Sequence, residues 1–449
     1  MNLWHWFRER YMTSPLVYNL RLMWEYHDFF RTRIPFLYSR FLRNNIASSR
    51  KAATLLKDKE VIEVAFFLSI PGMWKADYLF RRMQQDPRFH PYIVLIPYTV
   101  FKNFDKEEMW KTLRRTESFV KERGFEYVIP YDEVKGRWRD IRKQENPDVV
   151  FYSLPYKDME RKYFVYNYRD RLTCYIPYAF TSMNVYKANY DIISINSYGC
   201  VFTETQMHLG FAKRYSHSHG DNFEVVGCPG CEVYQVPDYQ PKEVWHPQPH
   251  PKKRVIWAPH HSISDVFSIS TFLENCDLMV RLAQEYADRI QFAFKPHPTL
   301  KFKLQKLWGA ERTEQYYRQW AEMPNTQIEE AGYVDLFYGS DAMMHDSGGF
   351  TTEYLYMQKP VMYLVKDDRP RQQFNEFGAL AFDQHYVGRN EEDVRRFLDE
   401  VVLGGIDPMS DSRQRFFDTY LSSPDGLLPS QRIIAVLNRL IGLKGLVLE

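Results

Sequence analysis

The sequence predicts an α/β protein of two doubly wound, Rossmann-type halves. Three observations carry this. Short apolar runs alternate with helix-length segments in two successive series, over 61–226 and 254–365. A stretch at 237–251 with five prolines and two histidines separates the series. The second series contains Ser347-Gly348-Gly349 between an apolar run and a helical segment. Strands joined through helices of ten or more residues imply a mostly parallel sheet covered on both faces. In such sheets ligands bind beyond the carboxyl ends of the strands. The expected domains are a basic aromatic helical segment (1–51), a first Rossmann-like domain (52–236), a linker (237–252) and a second Rossmann-like domain (253–449).

In the first half, 61–68 is an apolar, β-branched run. Ser69-Ile70-Pro71-Gly72-Met73-Trp74 turns it into a helix over 77–84. Strands follow at 92–97, 127–129 and 149–153, with helices at 106–123 and 133–144 between them. Further strands are expected at 174–177, 192–195 and 224–226, with a helix at 204–212. In the second half, strands are expected at 255–258, 290–295, 326–329, 340–344 and 360–365. Helices are expected at 270–286, 315–321, 334–338, 351–357, 392–403 and 431–440. Phe272, Cys276, Met279, Ala283 and Tyr286 form one apolar face of the first of these.

The loops that follow strands carry the candidate site. After the run ending at Met344 comes His345-Asp346-Ser347-Gly348-Gly349-Phe350-Thr351-Thr352-Glu353. Glycine lets the backbone approach an oxygen that a side chain would block, and amides at a helix start suit a phosphate. Ser347, Gly348, Gly349, Thr351 and Thr352 are therefore expected to contact a diphosphate, with Glu353 placed for ribose hydroxyls. A buried Asp346 is expected to orient the loop. His297 lies in Lys295-Pro296-His297-Pro298, where two prolines hold the imidazole at a strand end. It is suited to donate to a phosphate oxygen or protonate a leaving group, with Lys295 adding a cation. His260 follows the first strand of this half, and Pro259 favours it over His261, which stays open. Ser262 and Ser264 offer further donors or a helix cap. On the first half, Trp74, Lys75 and Asp77 follow the first strand and Tyr178 follows Tyr175-Ile176-Pro177. They are the candidate acceptor contacts, and all these loops are expected to face one cleft.

Composition narrows the classes. The 59 basic and 57 acidic residues nearly balance, so no nucleic-acid partner is expected. Five cysteines lack disulfide-framework spacing, and Cys228-Pro229-Gly230-Cys231 alone is too few ligands for a zinc site. His217, His219, His246 and His250 likewise lack matched metal spacing. No run approaches the roughly 18 apolar residues of a membrane span. Residues 1–51 hold eight Arg and one Lys against Glu9, Glu25 and Asp28, interleaved with Trp4, Trp6, Phe7 and Trp24. That pattern suits an anionic membrane surface, the alternative being helices packed on the domain. The 16% aromatic content fits either stacking sites or ordinary cores. A cytoplasmic protein, peripheral at the inner face of the membrane, is expected.

Ala258-Pro259-His260, Lys295-Pro296-His297-Pro298, Ser340-Asp341 to Ser347, and Lys359-Pro360 resemble the C-terminal half of the CDP-glycerol glycerophosphotransferases. These are GT-B-fold enzymes of teichoic-acid and related capsule synthesis. The resemblance implies a GT-B-like transferase that takes CDP-glycerol in its C-terminal half and uses no metal or cofactor. It implies a polymer or lipid-linked acceptor, with His297 as the histidine on the donor phosphate and Ser347 as the donor-site serine. The family's Trp-His-Gly motif has no counterpart here, because Tyr175-Ile176-Pro177-Tyr178-Ala179-Phe180 stands in its place. The base is left unassigned, with Asp77 a candidate. Asp-Ser-Gly-Gly-x-x-x-Glu also resembles the UDP-binding loop of the UDP-GlcNAc 2-epimerases. Glycosyl transfer from a UDP- or CMP-sugar is thus the alternative, and a non-catalytic, membrane-docked assembly protein is a third.

Overall fold

The computed structural model describes residues 35–99, 106–263, 269–330, 332–367, 369–423 and 425–443. The chain divides into two compact units. The first comprises residues 35–179, Val185–Gly230 and the stretch from Pro429; the second comprises Phe180–Asn184 and Cys231–Leu428.

Unit 1 holds β1 (Ile62–Leu68), β2 (Phe89–Leu95), β3 (Tyr127–Val128), β4 (Tyr131–Asp132), β5 (Arg137–Trp138), β6 (Val149–Tyr152), β7 (Leu172–Tyr175), β8 (Cys200–Thr203) and β9 (Phe223–Val225). Seven of these form a parallel sheet in the order β3-β2-β1-β6-β7-β8-β9. The order reverses beside β1, as in a doubly wound sheet. Central strands are apolar along their whole length because both faces are covered; β6 and β7 are buried at every position.

The helix Pro35–Thr54 is part of this unit. Ser49 Oγ accepts the Thr173 N–H at 2.9 Å, Arg50 Nε donates to the Gly199 carbonyl at 3.0 Å, and Asn45 bonds Ser197 at 3.2 Å. Gly199 is needed for this approach, since a Cβ there would lie 2.3 Å from Ser49 Oγ. Residues 1–34, which carry most of the expected membrane-facing stretch, lie outside the described residues.

Two expected elements are absent. The helix over 133–144 is replaced by an antiparallel β4–β5 hairpin. Gly136 takes φ +58° in its turn, and Trp138 is drawn inward to stack on Trp110 at 5.7 Å and meet Tyr131 at 5.1 Å. The strand over 192–195 is a turn, held by Asn196 Nδ2 donating to the Tyr190 and Ile192 carbonyls.

Unit 2 holds β10 (Lys253–Ala258), β11 (Ile290–Phe294), β12 (Thr326–Ile328), β13 (Ala342–His345), β14 (Val361–Leu364) and β15 (Tyr386–Gly388). They form a parallel sheet in the order β12-β11-β10-β13-β14-β15. Its core centres on Trp257, fully buried among Phe272 at 5.7 Å, Phe294 at 5.1 Å and Trp320 at 5.4 Å. The high aromatic content of this half therefore fills a core. Phe272–Glu285, Leu300–Trp308, Ala310–Glu322, Glu376–Phe382 and Ser410–Phe416 are among its helices.

Besides Phe180–Asn184, which belongs to unit 2, two longer stretches depart from the expected domain limits. The 237–252 stretch packs on unit 2 instead of running free. Trp245 is buried and donates to the Leu336 carbonyl, while Gln327 accepts the His246 N–H at 2.8 Å and donates to the Val244 carbonyl. Prolines keep this segment extended, but an extended segment with a buried tryptophan is packed. At the other end, the helix Pro429–Ile441 belongs to unit 1, where Arg439 pairs with Glu224 at 2.6 Å and Arg82 donates to Ser430.

Candidate functional site

The carboxyl ends of β11, β10 and β13 are neighbours in the unit 2 sheet, and three predicted loops leave from them. Strand pairing sets adjacent ends about 4.8 Å apart. His260 and His297 accordingly lie with ring centroids 5.3 Å apart, and His261 sits 4.2 Å from each. The His297 N–H donates to the Pro259 carbonyl and ties the two loops together. All three rings are half-buried. One nitrogen from each lies within 4.8 Å of the others, a spacing a metal ion would accept.

Asp346 organises the base of this site. It is fully buried, and its carboxylate accepts the Thr271 N–H at 2.6 Å, the Thr271 hydroxyl at 2.9 Å and the His260 N–H. Burial pushes its carboxyl up to about 6, against the pull of these bonds. It therefore orients the loop after β10, as expected from its place before the turn. Thr271 was not anticipated.

In the Ser347-Gly348-Gly349 turn, the Ser347 N–H donates to His345 Nδ1 at 3.1 Å. The Gly348 and Gly349 N–H groups meet no acceptor among the described residues. Those two amides are left available to an acceptor outside the described residues. Gly348 also meets a neighbour: a Cβ there would stand 2.8 Å from Met183 Sδ, and its carbonyl accepts from Ser182 Oγ. The helix behind the turn is shorter than expected. Phe350–Glu353 is a single α turn, followed by a 3-10 segment at Tyr354–Met357. Its dipole is correspondingly small.

The two threonines depart from expectation. Thr351 donates to the Ser347 carbonyl at 2.8 Å and closes the turn, and Thr352 is fully buried. Both face inward because the short helix turns that side to the core, so neither offers a hydroxyl to a ligand. Glu353 is half-buried and accepts from Tyr234 at 3.4 Å. Lys295 is buried; desolvation pulls its ammonium down while Glu329 and Glu330 support the charge. His297 is lowered to about 4 by burial, then by His261, Lys295 and Lys303. Lys359 proves structural, because Nζ donates to the carbonyls of Phe337, Tyr338 and Ser340 and caps the helix Val334–Gly339. Asp341 is structural too, accepting the Arg254 N–H at 2.8 Å.

In unit 1 the predicted acceptor residues separate. Trp74 is buried, with Phe66, Phe80 and Phe125 around its ring at 5.6 to 5.9 Å, so its faces are occupied by core. Lys75 lays its aliphatic stem where a Cβ on Gly230 would be. Asp77 begins the helix Asp77–Gln85; burial raises its carboxyl, opposed by Arg123, Arg81 and Lys75. Tyr178 lies beyond β7, beside Tyr156 and Asp158, and β6 separates that strand from β1. All five cysteines are buried thiols. No helix among the described residues is long and apolar enough to cross a membrane.

No protein-family model matches the chain, and no curated protein matches it. Solved structures do. The S. aureus MnaA–UDP structure is 16% identical with a TM-score of 0.53, covering 86% of this chain and 98% of that one. The Methanocaldococcus jannaschii UDP-GlcNAc 2-epimerase, in complex with UDP-GlcNAc and UDP, is 13% identical with a TM-score of 0.53, covering 84% and 100%. A variant of the wall teichoic acid polymerase TagF is 14% identical with a TM-score of 0.51, covering 90% and 96%. The fold is thus GT-B-like, with two Rossmann-like domains.

Proposed function

We propose that the chain is a transferase that takes a nucleotide-diphosphate donor in unit 2. The observation that carries this is the pair of acceptor-less Gly348 and Gly349 amides at the end of β13, next to the strand that presents His260. Amides and imidazoles aimed at a developing negative charge stabilise transfer without reorganisation, which is the larger part of phosphoryl-transfer catalysis. The donor of choice is CDP-glycerol or a similar CDP-alditol, on the resemblance of the 258–360 motifs and the fold shared with TagF. A hydroxyl of a cell-surface polymer or lipid-linked acceptor attacks the β-phosphorus, a glycerol phosphate is transferred, and CMP leaves. Lys75, Asp77 and Tyr178 are the acceptor-side candidates in unit 1; Trp74 is withdrawn because its ring is enclosed.

Glycosyl transfer from a UDP-sugar is the second reading, favoured by UDP in two structures of the same fold. There the anomeric carbon is attacked and UDP leaves. Incubation with CDP-glycerol and with UDP-sugars, in the presence of membrane acceptor, separates the two by the nucleotide released. Release of neither CMP nor UDP supports the non-catalytic alternative. Peripheral membrane attachment at the cytoplasmic face is assigned to residues 1–34. A deletion should stop there, since the helix Pro35–Thr54 is bonded into unit 1. Undiminished liposome binding by that deletion refutes the assignment.

A further inference from the structure

Three histidines stand at or just beyond the ends of adjacent strands in unit 2, and each is followed two residues later by a serine or threonine. In every case the backbone N–H of that second residue donates to the ring's Nδ1. Ser262 donates to His260 at 3.3 Å, Thr299 to His297 at 3.2 Å and Ser347 to His345 at 3.1 Å. A ring nitrogen that accepts an N–H carries no proton, so in the neutral imidazole the proton sits on Nε2. Hydroxyls reinforce two of the three locks. Ser262 Oγ takes the Ile269 and Ser270 N–H groups at 3.1 and 3.3 Å and stands 2.9 Å from His260 Nδ1. Thr299 Oγ1 stands 3.0 Å from His297 Nδ1.

We propose that Ser262 and Thr299 are positioning residues that hold His260 and His297 as Nε2–H donors. The His260–His261–His297 cluster is then an oxyanion site and does not bind a metal. A divalent metal would need the Nε2 lone pair, with the other nitrogen donating outward to a carbonyl or carboxylate. His260 and His297 have the reverse arrangement, because their Nδ1 atoms are acceptors. Offering Nε2 to a metal would break a backbone N–H bond in each loop, and His261 alone makes a poor site. Two uncharged N–H donors beyond β10 and β11, with β10 paired to the strand that leads into Gly348 and Gly349, instead suit the oxygens of a phosphoryl group. That this group is the diphosphate of the donor rests on the function proposed above. The tautomers do not.

The experiment uses the full chain with 15N-labelled histidine, the two rings being assigned from His260→Gln and His297→Gln. Long-range 1H–15N spectra read which nitrogen bears the proton. Both rings should be in the Nε2–H form at pH 7, and millimolar inorganic pyrophosphate should shift both Nε2 resonances. An equivalent of Zn2+ should leave them unmoved. Thr299→Val should weaken pyrophosphate binding about fivefold, the worth of one hydrogen bond, and Thr299→Ser should restore it. An Nδ1–H form in either ring, or stoichiometric Zn2+ binding lost in His297→Gln, overturns the proposal. So does indifference of both rings to pyrophosphate. Failure to turn over any nucleotide donor would count against the proposed function alone, because the tautomer spectra are read without turnover.

Discussion

Replacing Asp346 by alanine tests whether a buried carboxylate joins the site loops, and its size can be worked from the contacts. The substitution leaves three donors without their acceptor: the Thr271 N–H, the Thr271 hydroxyl and the His260 N–H. Each buried orphan costs about 1–3 kcal/mol, roughly 5 in all. Against this, the carboxyl pushed up to about 6 means that burying its charge costs about 3 kcal/mol at neutral pH, which alanine removes. The net loss at pH 7.5 is therefore about 2 kcal/mol. The sign with pH is distinctive. The native carboxyl titrates above its unfolded value, so its own contribution to stability grows as pH falls through 6, and the alanine variant lacks that contribution. The deficit should widen by about 1.4 kcal/mol between pH 7.5 and pH 5, a tenfold change in opening constant. His297 is present in both proteins and cancels. Native-state hydrogen exchange of the β10 amides, corrected for intrinsic rates, reads these opening free energies. A deficit that is unchanged or smaller at pH 5 would refute the account of a buried, loop-joining carboxylate.

Three other perturbations probe different joints. Trp245→Ala should destabilise unit 2 by about 3–5 kcal/mol, measured by denaturant unfolding, since the ring is buried and its Nε1 is bonded; a change within about 0.5 kcal/mol would return 237–252 to the status of a loose linker. Gly378→Ala places a Cβ 2.1 Å from the Ser182 carbonyl oxygen, so the 180–184 segment must move and with it the Ser182–Gly348 bond. A thermal shift of several degrees and weaker nucleotide binding are expected together, and wild-type binding would show that the segment does not support the turn. His297→Gln should flatten stability between pH 6.5 and 4. The native ring is held down to about 4, so the contribution of this group to wild-type stability is lost as pH falls through this window. Parallel wild-type and variant curves would mean that the ring is not held neutral.

The alternation of apolar runs and helices was sufficient to predict both parallel sheets, because strands buried on two faces read as continuous apolar stretches. Where burial came from a single aromatic, the reading failed. Glu133 to Gln144 has the charge and spacing of a helix, yet Trp110 and Tyr131 draw Trp138 into a hairpin whose partners are not neighbours in sequence. The same limit explains the 237–251 stretch, where composition signalled an extended chain but not what it packs against. It also explains the short helix after the glycine turn. Leu300–Trp308 and Glu376–Phe382 went unread because they mix apolar and polar positions over 9 and 7 residues, below the length at which a helical period is clear.

The candidate site shows a subtler limit. The places of His297, His260, the glycine turn and Asp346 at strand ends were each legible from residue type and spacing, since prolines and glycines mark where a strand gives way to a loop. The spacing His260 to Ser262, His297 to Thr299 and His345 to Ser347 was equally visible in the sequence, yet it meant nothing there. A histidine two residues before a serine or threonine is common. The spacing acquires meaning only when strand order brings β11, β10 and β13 side by side, so that the same two-residue turn is repeated along one edge. The repeat then does what no single residue type announces: it assigns the protons. Two of the three rings are half-buried, and the third, His345, is fully buried and accepts the Ser347 N–H. That difference follows from sheet position. β13 continues directly into the turn, so its histidine is covered by the chain that follows, whereas the loops after β10 and β11 leave their rings half-open. One local motif is thus used twice to present a donor and once to shape the turn those donors flank.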